Sequence, residues 1–345
     1  MRRIWWAWFL ALGCLATSGC GFLSKFAKKS VSVPQVLQPL DKAETPQLLA
    51  EINRVAAVHS LKAKVDLEFE DLSAAGIGIA EKYKRADGTV YVQRPGQIYL
   101  TIEGPLSTKI AELASDGKQF RVAVMQGEQR YRRFVMGSNS ADYTKLQADD
   151  VDRAVKNDKM MRSDKKQVGV FSQIRPQHFI EGLLLNPIAP AAQNNFLYVK
   201  SESSDEEDDM RPLAKKGARV VRGFYLLDEV ATNGDGTGHV VRRFWFDRFQ
   251  GIHLARVQIF GADGAVTTDV TYGLNKAVGA SAVMLPTRLA MRRPQEKYGL
   301  ILTYQIPEEV IIDKDFDPAI FLLENKTSLP ELDLDALLRR KGTEE

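Results

Sequence analysis

Cysteine is nearly absent from this 345-residue chain, which carries only Cys14 and Cys20. Because no cysteine follows residue 20, the rest of the chain cannot form a disulfide with itself, a thiolate zinc site or a thiolate nucleophile. Disulfide-stapled folds and cysteine-dependent enzymes are therefore excluded for everything that follows Cys20.

Histidine and the common catalytic motifs are also scarce. The chain has four histidines: His59, His178, His239 and His253. No two of them stand at i and i+4, so no zincin motif occurs, and there is no G-x-S-x-G elbow, Walker loop or dinucleotide fingerprint. The NGDGTG loop fails as a calcium loop, because the twelfth position from Asn233 is Phe244. We expect a protein that is not an enzyme and needs no metal or cofactor, with a paired-carboxylate hydrolase as a minor alternative.

Neither a strong excess of charge nor a second long apolar run is present. The 47 basic and 44 acidic residues leave a net charge of +3, and no basic stripe interleaved with aromatics suggests nucleic acid as a partner. After the N-terminus no apolar run approaches the 18 residues that a membrane-spanning helix needs. The acidic run SESSDEEDDM over 201–210 is typical of a solvated loop.

The one long apolar run lies at the N-terminus. Two arginines precede an apolar stretch over 4–16, which has the length of a signal-peptide core. Three small residues, beginning with Thr17 and ending in Gly19, then lead to Cys20. This order resembles the lipobox of bacterial lipoproteins, although Thr17 stands where that family prefers Leu, Val or Ile.

The resemblance implies that 1–19 is a signal peptide and that the Cys20 sulfur becomes diacylated. Acyl chains such as palmitate then anchor the protein in the membrane. Gly21 stands where an aspartate usually retains lipoproteins at the inner membrane, so we expect the outer membrane, with the protein facing the periplasm. The alternatives are an ordinary secretory signal cut near Gly19 and an uncleaved N-terminal anchor.

Replacement of the lipobox cysteine tests this anchor. We expect Cys20→Ala to leave the protein unacylated, because only a thiol at that position carries the thioether-linked acyl groups. Metabolic labelling with palmitate provides the measurement. Cys14→Ala is the control and should label like the wild type, since Cys14 lies inside the apolar run. Continued labelling of Cys20→Ala would refute the assignment.

Composition divides the remaining chain into a tether, a folded domain and a tail. Residues 20–45 mix Lys, Ser, Gln and Pro and predict a flexible tether that carries the lipidated Cys20. We expect a single domain over 46–325, with a polar segment inserted at 138–170, and a C-terminal helix and tail over 326–345. Helices are expected over 46–59, with Thr45 as N-cap, over 177–185, and in the tail, where Ser328 and Glu331 have capping-box spacing.

The hydrophobic period changes to two at Lys62. In KAKVDLEFED, apolar residues alternate with charged ones, which predicts a half-buried antiparallel strand. Similar segments follow, separated by turn signals such as Asp87-Gly88 and Pro95-Gly96, and predict about 11–12 strands. The predicted fold class is therefore α+β: a large curled antiparallel sheet, an incomplete β-barrel, with helices covering its concave face.

A curled sheet of this size can enclose an apolar hollow between its strands and helices. The candidate ligand-binding residues on the enclosed face are Val65, Leu67, Phe69, Val90, Val92, Ile98, Leu100, Ile102, Phe244, Phe246 and Ile259. The alternative for each of them is a filled core, and a one-residue slip of register would invert the set.

The segment from Gly78 to Arg133 has a distinctive order of strands and turns. A strand leads to the RPG turn, a second strand to a GP turn, a third to the SDGK turn, and a fourth strand follows. With the helix before it, this order resembles the outer-membrane lipoprotein-sorting (Lol) carriers and receptors and their superfamily, over roughly 48–135. The resemblance implies an incomplete barrel, helices that form a lid, and a hollow that receives the acyl chains of lipoproteins.

These observations lead to one expected function and one alternative. We expect a lipid-anchored envelope protein that binds acyl chains of lipoproteins or other lipids, with lipoprotein sorting as one use of such binding. The alternative is a non-catalytic structural lipoprotein that docks on an envelope protein partner. An apolar cavity large enough for an acyl chain would separate the two.

Overall fold

The computed structural model describes residues 33–71, 81–126, 132–141, 143, 146, 176–188, 196–209, 211 and 213–344. Cys20, the signal peptide, most of the tether and most of the polar segment 138–170 lie outside this part of the chain. The contacts divide the chain into two units, Met1–Leu37 with Asp205–Arg222, and Gln38–Ser204 with Gly223–Glu345.

The described residues form three α-helices and sixteen strands. The helices are α1 (Thr45–Ala56), α2 (Pro176–Leu183) and α3 (Leu334–Glu344). The strands are β1 (Gln35–Val36), β2 (Ser60–Asp71), β3 (Glu81–Gln93), β4 (Gln97–Gly104), β5 (Thr108–Asp116), β6 (Gln119–Val124), β7 (Arg133–Ser138), β8 (Phe196–Asp208), β9 (Arg219–Thr232), β10 (Gly238–Asp247), β11 (His253–Phe260), β12 (Val266–Val278), β13 (Val283–Arg293), β14 (Tyr298–Tyr304), β15 (Ile311–Ile312) and β16 (Glu331–Asp333).

The smaller unit corrects the interpretation of the acidic run. In it, β1 pairs in parallel with the start of β9. The run 201–210 was expected to be a loop, but its residues up to Asp208 belong to strand β8. Two arginines of β9 account for this: Arg219 lies 3.2 Å from Glu206, and Arg222 lies 2.6 Å from Glu207. Opposite charges across a strand pair permit an acidic strand that stays exposed.

The larger unit is built on one open sheet. Its strands follow the order β9-β10-β11-β12-β13-β14-β2-β3-β4-β5-β6-β7-β16, and β15 also pairs with β2. All of these pairs are antiparallel except β16 with β7. A large, mostly antiparallel and unclosed sheet with few helices is thus confirmed. The strand number among the described residues is higher than the expected 11–12, because two-residue and three-residue strands give no periodicity to detect and because the acidic run of β8 was expected to be a loop.

Strand β3 runs through a predicted turn. Asp87 and Gly88 were expected to join two strands, but both lie inside β3. A Cβ on Gly88 would stand 2.4 Å from the carbonyl oxygen of Thr101 on β4. Glycine is therefore required by a close approach of two strand backbones and not by a turn.

The core follows the alternation that the sequence shows. On β2 the apolar Ala63, Val65, Leu67 and Phe69 are all buried. They belong to one hydrophobic cluster, to which α1 contributes Leu48 and Ile52, α2 contributes Phe179, and the residue after α2 contributes Leu184. Both helices therefore pack on the buried face of the sheet.

The helix ends differ from the predictions by a few residues. Helix α1 is capped by Glu44 rather than by Thr45, and the Glu44 amide donates to Gln47 Oε1 over 2.7 Å. Helix α3 does not use Ser328 and Glu331 as a capping box. Glu331 belongs to β16, and the Asp333 carboxylate accepts from the Ala336 amide over 2.9 Å instead.

Candidate functional site

An apolar cavity of about 20 Å³ lies where α1 and α2 meet the sheet. Its walls are formed by Val55, Val58, Leu61, Gly182, Leu183, Leu185, Tyr272, Leu285, Pro286, Leu289 and Tyr304. They come from the end of α1, from β2, from the C-terminal half of α2, and from β12, β13 and β14. A volume of this size has room for about one water molecule.

The predicted hollow and this cavity do not share residues. Of the eleven candidate residues, Val65, Leu67, Phe69, Val90, Val92, Ile98, Leu100, Ile102, Phe244 and Phe246 are buried, and Ile259 is partly buried against the same cluster. The structure brings all of them together on the core side of the sheet. None of them lines the cavity, and their contact with a ligand stays a prediction.

Two tyrosines are the polar elements of the cavity wall. Burial raises the pKa of Tyr272 and the pKa of Tyr304 well above the usual value, so both hydroxyls stay protonated. The Tyr272 hydroxyl donates to the Gly182 carbonyl of α2 over 3.2 Å. The site is consequently neutral and mostly apolar, with two phenol side chains in its wall.

Arg94, in the turn between β3 and β4, joins the ends of both helices. One of its NH groups donates to the Leu185 carbonyl over 2.6 Å and to the Ala56 carbonyl over 3.2 Å, and Nε donates to the Val58 carbonyl over 3.3 Å. The last carbonyls of a helix lack partners within it and carry partial negative charge. A single guanidinium therefore closes α1 and α2 over the sheet, although burial lowers its pKa.

A second arginine holds the segment that follows α2 from another strand. Arg242 of β10 donates to the Asn186 carbonyl over 3.1 Å and forms a forked ion pair with Glu229 of β9. Glu229 is 2% exposed and also accepts from the Tyr198 hydroxyl over 2.9 Å. Arg242 thus compensates the negative charge of Glu229 and at the same time holds the segment that follows α2.

Helix α1 is tied to the sheet by side chains of its exposed face. Arg54 donates to the Met284 carbonyl of β13 over 2.6 Å and pairs with Glu51. Glu51 accepts from the Leu254 amide of β11 over 3.3 Å. Asn53 accepts from the Ile188 amide over 2.9 Å and so links α1 to the segment after α2.

Helix α2 also carries polar side chains that contact the sheet. Burial raises the pKa of Glu181, although the carboxylate accepts from Thr268 Oγ1 over 2.9 Å and lies 3.7 Å from Arg293. On the same helix, His178 Nδ1 lies 2.5 Å from the Tyr298 hydroxyl. These contacts fix α2 against β12, β13 and β14.

Two kinds of feature were searched for in the described part of the chain. Among the described residues no group of three or more His, Cys, Asp or Glu could hold a metal ion. None of the described helices has the length and apolar content to cross a membrane. The donors that surround the cavity are used to attach the two helices, which leaves apolar contact as the main interaction open to a ligand.

The sequence indicated only one side of this cavity. The apolar stripe of α1, which includes Val55 and Val58, is visible from spacing alone, as is the stripe of α2. Arg94 was part of the RPG turn, but nothing local shows that its side chain reaches two helices. The tyrosines at 272 and 304 look like any aromatic residue on an alternating strand.

Comparison with known proteins adds similarities of structure and none of sequence. No family model matches the chain, and no curated protein matches it significantly. A LolA superfamily protein from Nitrosomonas europaea is similar at 11% identity and a TM-score of 0.39, covering 81% of this chain and 99% of its own. A DUF1329 family protein from Desulfovibrio piger gives 10% identity, a TM-score of 0.37 and coverages of 82% and 96%. A protein domain from Vibrio parahaemolyticus, described by the phrase outer membrane lipoprotein-sorting, gives 9% identity, a TM-score of 0.35 and coverages of 81% and 96%.

Proposed function

We propose that the protein binds acyl chains of lipoproteins or other lipids between the helix pair, α1 and α2, and the buried face of the sheet. The observation that carries the proposal is the apolar cavity at the point where both helices end. The same surface, extended along the strands, includes the apolar residues that the alternating pattern selects. The protein acts by binding and not by catalysis.

The sheet has to curl around α2 for such a site to exist. Helix α2 has eight residues and is about 12 Å long at 1.5 Å per residue. It nevertheless contacts β13, β4 and β5, and β5 is five strands away from β13 in the sheet order. In a flat sheet that separation is about 24 Å at 4.8 Å per strand. We therefore infer that the strands wrap around the helix pair and supply a concave apolar surface.

Binding of an acyl chain requires movement of the helix pair. Sites for small molecules usually measure about 300–1,000 Å³, far above the 20 Å³ of the cavity. Displacement of the helices opens the apolar wall to the ligand, and about 0.8 kcal/mol per buried methylene then favours the complex. Besides their apolar packing on the sheet, the helices are held by hydrogen bonds of side chains, so they can leave without breaking a strand pair.

The location follows from the anchor proposed on Cys20. With acyl groups at that position, the folded part stands at the membrane surface of the bacterial envelope, where lipids and lipoproteins are within reach. We expect the protein at the outer membrane, on its periplasmic side. The reason is that Gly21 stands where an aspartate usually retains lipoproteins at the inner membrane.

Lipid that copurifies with the full chain tests the proposal. We expect about one equivalent of extractable acyl lipid, beyond the chains attached to Cys20, in mass spectra of the wild type. Leu289→Trp should carry less than a third of that amount, because Leu289 lines the cavity and an indole fills it. The control is Leu322→Trp, since Leu322 is 51% exposed and away from the cavity.

A second function is favoured by the filled interior. The candidate residues on the sheet form a packed core, as expected for a structural lipoprotein whose outer surface docks on an envelope protein. That function predicts no extractable lipid beyond the anchor in either the wild type or Leu289→Trp, and this result would overturn the lipid-binding proposal.

A further inference from the structure

The β8–β9 connection, residues 209–218 of the smaller unit, presents an exposed leucine and two exposed lysines. Leu213 is 98% exposed. Lys215 and Lys216 are exposed as well, and neither has an ion-pair partner within the described part of the chain. A Cβ on Gly217 would meet nothing within 4 Å. These residues therefore project into open space.

The acidic residues beside the β8–β9 connection are paired with arginines. Arg211 forms a forked ion pair with Asp209, with distances of 2.8 and 2.7 Å. Arg219 lies 3.6 Å from Asp208, and the glutamates of β8 pair with arginines of β9. Asp205, the remaining carboxylate of the smaller unit, lies in strand β8 and not in the connection. The charge that the connection itself offers to a partner is therefore the positive charge of its two lysines.

The smaller unit also receives the tether that leads to Cys20. Strand β1 pairs with the start of β9, and Arg211 of the connection donates to Gln35 Oε1 over 3.3 Å. The fifteen residues from Cys20 to Gln35 reach at most about 50 Å, and the seven from Leu213 to Val220 at most about 25 Å. The exposed leucine can therefore touch a bilayer that holds acyl groups on Cys20.

We propose that the β8–β9 connection is a second membrane contact, at which Lys215 and Lys216 bind an anionic phospholipid surface and Leu213 enters the hydrocarbon boundary. The proposal rests on the anchor proposed on Cys20 and names the part of the folded chain that faces the bilayer. Each lysine near an anionic lipid surface favours the contact by about fivefold. Entry of the leucine removes an apolar side chain from water. The two effects act together, because all three side chains lie within four positions of the chain.

Cysteine accessibility on the full chain tests the contact. Leu213→Cys, in a Cys14→Ser background, is reconstituted with its acyl anchor into two kinds of vesicle. One kind is phosphatidylcholine alone, and the other contains about 30% phosphatidylglycerol, which makes the surface anionic. The measurement is the rate of modification by an uncharged, water-soluble polymer maleimide, followed by mass spectrometry. We expect modification to be at least about fivefold slower on the anionic vesicles, and the difference to vanish at about 0.5 M salt, where charges are screened.

Controls assign this effect to the two lysines. Addition of Lys215→Gln and Lys216→Gln should bring modification on both kinds of vesicle to a common rate. Lys276→Gln with Lys297→Gln removes the same charge from exposed positions outside the connection, and this control should keep the difference. Ala262→Cys, exposed in the turn between β11 and β12, should react equally on both kinds of vesicle.

Each other outcome overturns a defined statement. Equal rates for Leu213→Cys on both kinds of vesicle, while the protein floats with them, would refute the second contact and leave the anchor intact. A difference that persists after both lysines are replaced would refute their role. Reaction of the maleimide with Cys20 in the Cys14→Ser background would refute the anchor, and the membrane contact with it.

Discussion

A disulfide between helix α2 and strand β12 is expected to abolish lipid binding. Gly182→Cys combined with Val270→Cys provides the cross-link, because a Cβ on Gly182 would lie 3.6 Å from Val270 Cγ1 and 3.7 Å from Cγ2. These are ordinary van der Waals distances, so a cysteine fits, and the two side chains start within the range that a disulfide spans.

The expected loss follows from the size of the cavity. An acyl chain cannot enter about 20 Å³, so binding needs α2 to leave the sheet, and the cross-link prevents this movement. We expect the oxidised variant to bind less than a tenth of the lipid that the reduced variant binds. The measurement is bound lipid per protein in a background with Cys14→Ser and Cys20→Ser, before and after reduction.

Controls separate the cross-link from the substitutions. Gly182→Cys and Val270→Cys as single variants, treated with the same oxidant, should bind lipid like the reduced double variant. Equal binding by the oxidised and reduced double variant would mean that α2 stays in place, and the site would have to be sought elsewhere. If neither the oxidised nor the reduced double variant binds lipid while both single variants do, the two substitutions together disturb the packing. The loss would then not be caused by the cross-link.

The sheet was predictable because its signal is local. Each long strand carries its own alternation, and the apolar face of β2 is the face that the structure buries. The two exceptions arise from contacts between strands, which no local pattern shows. At Gly88 a glycine serves the close contact of two strands, and in β8 cross-strand arginines compensate an acidic run, so composition alone suggested a turn and a loop.

The attachment of α1 and α2 to the sheet was not predictable, because the hydrogen bonds that hold the helices join residues far apart in the chain. Arg94 reaches Leu185, 91 positions away, and Arg54 reaches Met284, 230 positions away. No periodicity encodes such pairs. The volume left between helices and sheet is equally a property of packing, and the residues that line it were therefore different from those that alternation selected.

The second large effect is expected at Arg94. Arg94→Met keeps the length of the side chain and removes the guanidinium, which leaves the carbonyls of Ala56, Val58 and Leu185 without that donor. Hydrogen bonds to a charged group contribute about 1.5–3 kcal/mol each and do not add fully. We expect the free energy of unfolding to fall by about 2–4 kcal/mol, measured by urea denaturation.

Arg85→Met is the matched control for this change. The Arg85 side chain is 82% exposed and pairs with Glu68 at the surface over 2.6 Å, an arrangement that contributes at most about 1 kcal/mol. Arg94→Lys provides a second comparison. A lysine has one charged nitrogen and cannot reach the ends of both helices as the planar fork does, so only part of the stability should return. A stability of Arg94→Met equal to that of the control would contradict the role of Arg94 in closure.

Loss of Arg94 should also change lipid binding in the opposite sense to the disulfide. The guanidinium stabilises the closed arrangement of α1 and α2, and a lipid binds only after that arrangement opens. Weakening the closed state raises the fraction that is competent to bind, and the apparent dissociation constant falls by the same factor. We expect binding at least about tenfold tighter in Arg94→Met than in Arg85→Met, since 1.4 kcal/mol corresponds to a factor of ten, with fluorescent fatty acid titration as the measurement. Weaker binding in Arg94→Met would mean that Arg94 contacts the ligand or shapes the open site, and the closed-state argument would then be wrong.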